Sequence, residues 1–405
     1  MKKKFIAAVI AGVSLLSVVG GANAAVNFTD LNGHWAKKQI EVAVQEGFVD
    51  GYPDGTFKPD QNISRVEFIK LVVDALKFKK QDAAGEWFQP YINTAVANGL
   101  HQSDEFAADQ LNKSITREEM ARIAVRATGE ANYDAMKWMY LATSKGIIQG
   151  LDNKGTLGED QPTTRAQAIT VIERILKIKS GEKIALDKYA KYAASRAEIN
   201  WHRTNIFTMA QEYFGFGKSI GNEFKVNRLK FKNENGMSEV EKFIVVDMGD
   251  PEDPLRTEIP IGMNWVNSVG LERIKTQEVP LNTYAFLSYN HFTVSTEAPI
   301  KYFRYAYVHT SPFLNTGDSL DENGNLKDVT DYGTLTERGA LTSGMTNLQP
   351  GDHDVRIITG QLVPKMSGFE GASWTLYRQA CSELGEGTTE IPVFSSEVRH
   401  GLGER

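Results

Sequence analysis

Cysteine is almost missing from this chain of 405 residues: the single Cys381 allows neither an intramolecular disulfide nor a multi-thiolate metal site. Packing alone must hold the fold. Basic residues show no excess, with 45 Lys and Arg against 51 Asp and Glu and a formal charge of −6. The large positive field that nucleic acid requires is therefore missing, and no nucleic-acid partner is expected. At 41% apolar and 24% charged, the composition is that of an ordinary globular protein. The length leaves room for about two or three domains.

The one long apolar run stands at the start. Lys2, Lys3 and Lys4 precede Phe5–Val19, and Ala22-Asn23-Ala24 follows as a small-x-small cleavage signature. The run is short for a membrane span of about 20 residues. Residues 1–24 read as a signal peptide, with no membrane span after cleavage and no cysteine for lipid attachment. Losing the three lysines takes the charge from −6 to −9.

Three related units follow. Ile63-Ser64-Arg65-Val66-Glu67-Phe68, Ile115-Thr116-Arg117-Glu118-Glu119-Met120 and Thr163-Thr164-Arg165-Ala166-Gln167-Ala168 align. In each, Ser or Thr followed three residues later by Glu or Gln is a capping box that opens a helix. Behind the boxes run apolar stripes such as Phe68, Val72, Ala75 and Leu76. An earlier helix in each unit ends at Gly47, Gly99 or Gly146, where the chain needs a left-handed residue. A helix–loop–helix of this size cannot bury its stripe alone, whereas three can share a core.

The chain resembles the S-layer homology (SLH) family through Phe28-x-Asp30, His34-Trp35, Gly47-Phe48-Val49-x-Gly51-Tyr52-Pro53-Asp54-Gly55-Thr56-Phe57-x-Pro59 and Ser64-Arg65-x-Glu67, repeated with decay over residues 26–178. The resemblance implies a three-unit helical spindle whose grooves bind secondary cell-wall polymer, commonly through pyruvylated amino sugars. Such a spindle holds a protein non-covalently on a Gram-positive-type envelope. The chemistry of the residues agrees with that implication. Arg65, Arg117 and Arg165 offer planar cationic forks to a pyruvate carboxylate, and the helix N-termini add N–H groups and a favourable dipole. Trp35 and Trp87 suit the apolar face of a sugar ring, Asp30 and Asp82 suit its hydroxyls, and Gly55 shapes the loop. The plainer readings are solvated first-turn arginines and core tryptophans.

The third unit departs from the pattern, with Asp134 and Gly129 where the first has Trp35 and Asp30. The second lacks a counterpart of Gly55. One or two competent grooves are expected, with Arg165 contributing least because its own unit has lost its partners. Substituting any of the three arginines is expected to leave the fold intact.

The remaining half matches no recognised family. Tyr189–Phe214 has helical spacing, and β-rich runs follow at 224–231, 240–247, 283–289, 300–309, 355–363, 374–378 and 391–398. The fold class expected is α+β multidomain: an all-α three-repeat SLH spindle (repeats 26–80, 81–128 and 129–180), a helical linker over 181–220 and a mainly β, sandwich-like domain over 221–405. Asp321-x-Asn323-x-Asn325 resembles the opening of a calcium loop but places glycine fourth, as a hairpin turn does. Asp247, Asp250, Glu252 and Asp253 offer hard oxygen ligands or, more plainly, a solvated acidic loop. No catalytic residue and no cofactor is singled out, calcium being the one ion considered. The expected function is a secreted, cell-wall-bound, S-layer-like structural protein, with a C-terminal domain for assembly, adhesion or display and a capacity for self-association. The alternative is an anchored extracellular enzyme, a polysaccharide hydrolase above all, whose paired carboxylates need no local motif.

Overall fold

The structure, a computed structural model, describes residues 28–214, 224–266, 273–311, 320, 322–326, 330–332, 334–335, 341–342, 345–365, 373–387 and 390–397. The expected signal peptide lies outside them. Helices occupy the N-terminal part and sheets the C-terminal part.

Six helices form three consecutive pairs: α1 (Lys37–Gln45) with α2 (Arg65–Ala75), α3 (Gln89–Ala97) with α4 (Arg117–Ala127), and α5 (Trp138–Ser144) with α6 (Arg165–Lys179). The second helix of each pair starts at a complete capping box. Ser64 Oγ accepts from Glu67 N–H at 3.3 Å while Glu67 Oε2 accepts from Ser64 N–H at 2.8 Å, and Thr116/Glu119 and Thr164/Gln167 repeat the exchange. Immediately before these boxes the three units close on one another. Ile63 N–H donates to the Thr163 carbonyl at 2.9 Å, Thr163 to Ile115 at 3.0 Å, and Ile115 back to Ile63 at 3.0 Å. The ring explains why no unit stands alone: each of these buried backbone groups is satisfied only by a neighbour.

The same arrangement extends into the helices. The N–H groups of Arg65, Arg117 and Arg165 donate to the carbonyls of Lys113, Gln161 and Gln61, and those of Val66, Glu118 and Ala166 to Leu111, Glu159 and Pro59. With the third N–H held by the capping side chain, the donors that a helix start normally leaves open are occupied. The expectation that these N-termini present free N–H groups to an anion is therefore corrected. They serve as inter-unit joints. Around them Phe68, Ile69, Met120, Ile123, Ile169 and Ile172 form one shared core with almost no exposure.

Helix α7 (Lys188–His202), expected in a linker, is part of this core through Ala193 and Ala197. Gly155 shows how closely it packs. Its φ is +72°, and a Cβ there would lie 2.5 Å from the backbone of Tyr192 and Ala193. The helix ends at Arg203 in the left-handed conformation, followed by the short helices α8 (Ile206–Met209) and α9 (Gln211–Phe214).

The strands are β1 (Lys230–Asn233), β2 (Gly236–Asp247), β3 (Asn264–Val266), β4 (Arg273–Lys275), β5 (Thr283–Thr296), β6 (Ile300–Arg304), β7 (Val308–Ser311), β8 (Thr330–Tyr332), β9 (Thr334–Leu335), β10 (Leu341–Thr342), β11 (Met345–Leu348), β12 (Gly351–Pro364), β13 (Ser373–Arg378) and β14 (Ile391–Glu397). The largest sheet has the order β1-β2-β5-β12-β8, and β14-β13-β7 form another. Every described pairing between these strands is antiparallel. One face of the large sheet packs with α8, α9, β7, β13 and β14 around Phe243, Phe286, Phe292 and Trp374. The other face, through Ile244, Val246, Ala285 and Leu287, packs under Leu255, Met263 and Trp265. Burial on both faces accounts for the unbroken apolar run Thr283–Leu287.

The two parts meet at α7. Lys188 pairs with Glu252, the Tyr192 hydroxyl donates to Asp250, and Asn205 exchanges hydrogen bonds with the backbone of Val245 at 2.7 and 2.9 Å. Beside this seam Glu198 is fully buried, accepting from the N–H groups of Phe207 at 2.9 Å and Thr208 at 2.8 Å. Burial pushes its carboxyl up to about 8, although those bonds oppose the shift. A raised carboxyl means that the folded chain holds a proton the unfolded chain releases above its ordinary value near 4.5. Stability at this seam is expected to fall as pH rises from about 4.5 to about 8. Urea unfolding at pH 5 and pH 9 checks this: Glu198→Gln should flatten the difference.

Candidate functional site

Of the expected site residues Gly55 lies in the loop between the first paired helices, Asp30, Trp35, Asp82 and Trp87 precede α1 or α3, and the three arginines open α2, α4 and α6. In the first unit Asp30 organises the loop: its carboxylate accepts from Phe57 N–H at 2.9 Å and Lys58 N–H at 2.7 Å. Those bonds hold Lys58 at φ 55°, a conformation rare for a side chain of its size, and place its ammonium 4.0 Å over the Tyr52 ring. Gly55 closes the turn at φ 80°, donating to the Tyr52 carbonyl at 3.0 Å. Gly51 sits against Phe28 so tightly that a Cβ would overlap the ring at 1.9 Å. The sequence reading assigned Asp30 to sugar hydroxyls; both its oxygens are engaged in shaping the loop.

Trp35 and Trp87 are 60% and 55% exposed, so the core-packing alternative does not hold for either. Trp35 lies against the His34 ring, itself 3.4 Å from Asp60 on the first loop. Trp87 stands edge-on to Phe88 and Tyr91. Asp82 is exposed and makes no hydrogen bond among the described residues, so it does not repeat the loop-shaping role of Asp30.

The three arginines are neither solvated nor grouped with the aromatics of their own units. Each crosses to the loop of the next unit. Arg165 donates from Nε to the Phe57 carbonyl at 3.0 Å and from Nη2 to Asp50 at 3.2 Å, with the Tyr52 and Phe57 rings 5.0 and 4.7 Å from its guanidinium carbon. Arg117 makes the equivalent bonds to Leu157 and Gln149 of the third unit, both at 2.7 Å. Arg65 reaches the second unit, where Nη1 donates to Gln110 at 3.1 Å and Nη2 to the Glu119 carboxylate at 2.7 Å. The expectation that Arg165 is the weakest contributor is thus corrected in its geometry: Arg165 is the arginine that faces the intact first loop. Two N–H directions of each fork are committed to protein acceptors. Burial pulls the Arg117 guanidinium down to about 10, and nearby Arg174 adds to the shift.

The junctions differ in what surrounds them. At the third unit α7 lies over the loop: Arg196 donates to the Lys154 carbonyl at 2.7 Å, and the Trp201 indole donates to Asp134, the Trp35 counterpart, at 2.6 Å. Trp201 also stacks on Tyr140 at 4.9 Å. None of this was foreseen, since helical spacing alone does not say which unit α7 covers. The second unit holds a buried network in which Glu105 meets Arg122 Nε at 3.0 Å, Arg126 Nη1 at 2.8 Å and His101 Nδ1 at 3.0 Å.

In the β-rich part the acidic loop 247–253 is engaged elsewhere. Asp247 pairs with Lys365, Asp250 and Glu252 hold α7, and Asp253 accepts from Asp247 and Leu255 N–H, both at 2.8 Å. Asp321 lies outside the described residues; Leu320 and Leu326 pair around the turn that follows it. Cys381 is buried, and burial pushes its thiol up to about 11, which keeps it protonated and inert. No helix among the described residues is long and apolar enough to cross a membrane.

What these contacts define is a helical repeat module, interlocked by arginines, with exposed tryptophans beside its inter-unit loops. Residues 27–69 match the family model of the S-layer homology domain. The chain thus carries that domain, and proteins similar to it include some named for the surface layer or the cell surface. It is 30% identical over 151 residues to the cellulosome-anchoring protein of Acetivibrio thermocellus, covering 32% of this chain and 34% of that one. It is 26% identical over 200 residues to the surface-layer 125 kDa protein of Lysinibacillus sphaericus, covering 43% and 17%. Against endo-1,4-beta-xylanase A of Thermoanaerobacterium saccharolyticum the identity is 32% over 111 residues, covering 25% and 10%. The matches thus span about a third or less of each relative's length.

Proposed function

We propose that this is an exported surface protein, held non-covalently on a bacterial envelope by residues 26–178 folded as one three-repeat SLH spindle. Its ligand is secondary cell-wall polymer ending in a pyruvylated amino sugar. The observation that carries the reading is the junction of Arg165 with the first loop. There a cation from the third unit meets two aromatic rings and a loop stiffened by Asp30 in the unit that also exposes Trp35. The β-rich part is read as sandwich-like and faces away from the wall, for assembly, adhesion or display. A polysaccharide hydrolase draws support only from relatives such as the xylanase, matched over a quarter of this chain. The mature chain is expected to sediment with polymer-bearing wall sacculi and to stay soluble with walls stripped of polymer. Equal binding to both overturns the reading. Trp35→Ala should weaken wall binding about tenfold, the equivalent of about 1.4 kcal/mol, without changing the unfolding midpoint, because its ring is mostly exposed.

A further inference from the structure

In the β-rich part, the polar half of the large sheet gathers three carboxylates around one histidine. Glu239 lies directly across from His291, and a bulge in β2 leaves Glu241 without a partner between the pairs Val240–Asn290 and Lys242–Tyr289. Bulges of this kind re-aim side chains at sites. His291 Nδ1 lies 3.4 Å from Glu241 Oε1 and 4.0 Å from Glu239 Oε1, and one ligand atom from each of the three residues falls within 4.8 Å of the others. We propose that Glu239, Glu241 and His291 bind a divalent transition-metal ion of the zinc class.

Three features of the site support this. Zinc bonds of roughly 2.0–2.2 Å in tetrahedral geometry separate ligand atoms by roughly 3.3–3.6 Å, so the observed spacing needs only side-chain adjustment. His291 is nine-tenths buried, and Asp354 Oδ1 stands 2.8 Å from its Nε2. That partner holds Nε2 while Nδ1 faces the two glutamates, the geometry of the carboxylate–imidazole–metal arrangement. The cation nearest this point is Arg356, with Nη2 3.5 Å from Nδ1 and Nε 3.1 Å from Glu241 Oε1. Its side chain is 61% exposed and also stands 3.7 Å from Asp354 Oδ1, so it must leave these partners for solvent when the ion enters. Lys230, 3.0 Å from Glu239 Oε2, leaves the other oxygen for the ion. The imidazole ligand decides the class of metal, because calcium and magnesium take oxygen ligands whereas zinc-class ions accept nitrogen beside carboxylate.

The mature chain titrated with Co²⁺ tests the proposal, since low-coordinate Co²⁺ absorbs visibly and Zn²⁺ should displace it. One ion per chain is expected, with a dissociation constant of about micromolar order. His291→Gln, which keeps the side chain's bulk, should remove the band and weaken binding about 100-fold; Asp354→Asn should weaken it about 10- to 100-fold. Arg356→Ala replaces none of the three ligands and should tighten binding several-fold by removing the cation that pairs with Glu241 and His291. Excess Ca²⁺ should leave the band unchanged. No Co²⁺ binding at millimolar concentration, an unchanged spectrum and affinity in His291→Gln, or no tightening in Arg356→Ala overturns the site. Displacement by Ca²⁺ overturns the class of metal.

Discussion

Arg165→Ala should weaken polymer binding more than Arg65→Ala or Arg117→Ala, by about 10- to 100-fold, the range of one charge-assisted carboxylate contact. The reason is the neighbourhood each arginine shares. Arg165 faces the loop that keeps Asp30, Tyr52 and Gly55 and belongs to the unit exposing Trp35. Arg65 already meets Glu119, whose charge repels an incoming carboxylate. Arg117 lies under the third loop, which α7 covers through Arg196. The same substitution should also cost about 3 kcal/mol of stability, because the Phe57 and Asp50 carbonyls lose their cationic donor. This replaces the expectation that every arginine variant stays folded undisturbed. Titration with a pyruvylated disaccharide reads the first effect and urea unfolding the second. Arg165→Lys should recover part of the stability, since a point charge cannot serve both carbonyls as the planar fork does. If Arg65→Ala proves the more damaging to binding, the junction at the first loop is not the principal groove.

Glu105→Gln should destabilise the helical part by about 3–5 kcal/mol, the cost of leaving buried cations without their carboxylate. Glu105 is almost entirely buried against Arg122, Arg126 and His101. Burial alone would raise its carboxyl; the hydrogen bonds from His101 and Arg126 outweigh that and bring it down to about 2. A depressed carboxyl contributes stability that is complete above its ordinary value near 4.5 and disappears as pH falls through about 2. The parent chain should therefore lose stability over that acid interval, and the Gln variant should lack that component. Unfolding midpoints measured from pH 2 to 7 give both comparisons. A variant as stable as the parent at pH 7 shows that the network adds nothing to the fold.

Much of the architecture was legible because its causes are local. The three second helices begin at Arg65, Arg117 and Arg165, where Ser64, Thr116 and Thr164 announced them. Gly47, Gly99 and Gly146 have φ of 77°, 70° and 71°, as a helix end followed by a left-handed residue requires. Six of the seven β-rich runs carry strands over most of their described length, whereas 224–231 folds mainly as the 3₁₀ turn Val226–Leu229 and joins β1 only at Lys230; Asn233-Glu234-Asn235-Gly236 became the hairpin between β1 and β2. Strands β5 and β12 extend well beyond the expected runs because Asn290, His291 and Asp354 interrupt the apolar pattern while the backbone ladder continues. In β5 burial continues through Phe292 and Val294, so it is buried polar residues and not exposure that break the apolar pattern there.

By itself the sequence determined the repeats, their capping boxes and their turn glycines. Each of these depends on neighbours within a few positions, or on the recurrence of one pattern. Only the tertiary structure decided which loop each arginine serves, that the helix-start N–H groups are occupied, that Asp30 shapes its loop, and that α7 covers the third unit. Those outcomes depend on how three similar units close into a ring, Ile63 to Thr163 to Ile115 and back. The ring sends each side chain to the next unit, so Arg165 meets Phe57 across more than a hundred residues. A repeat pattern is the same in every unit and therefore carries no record of which neighbour its arginine will reach.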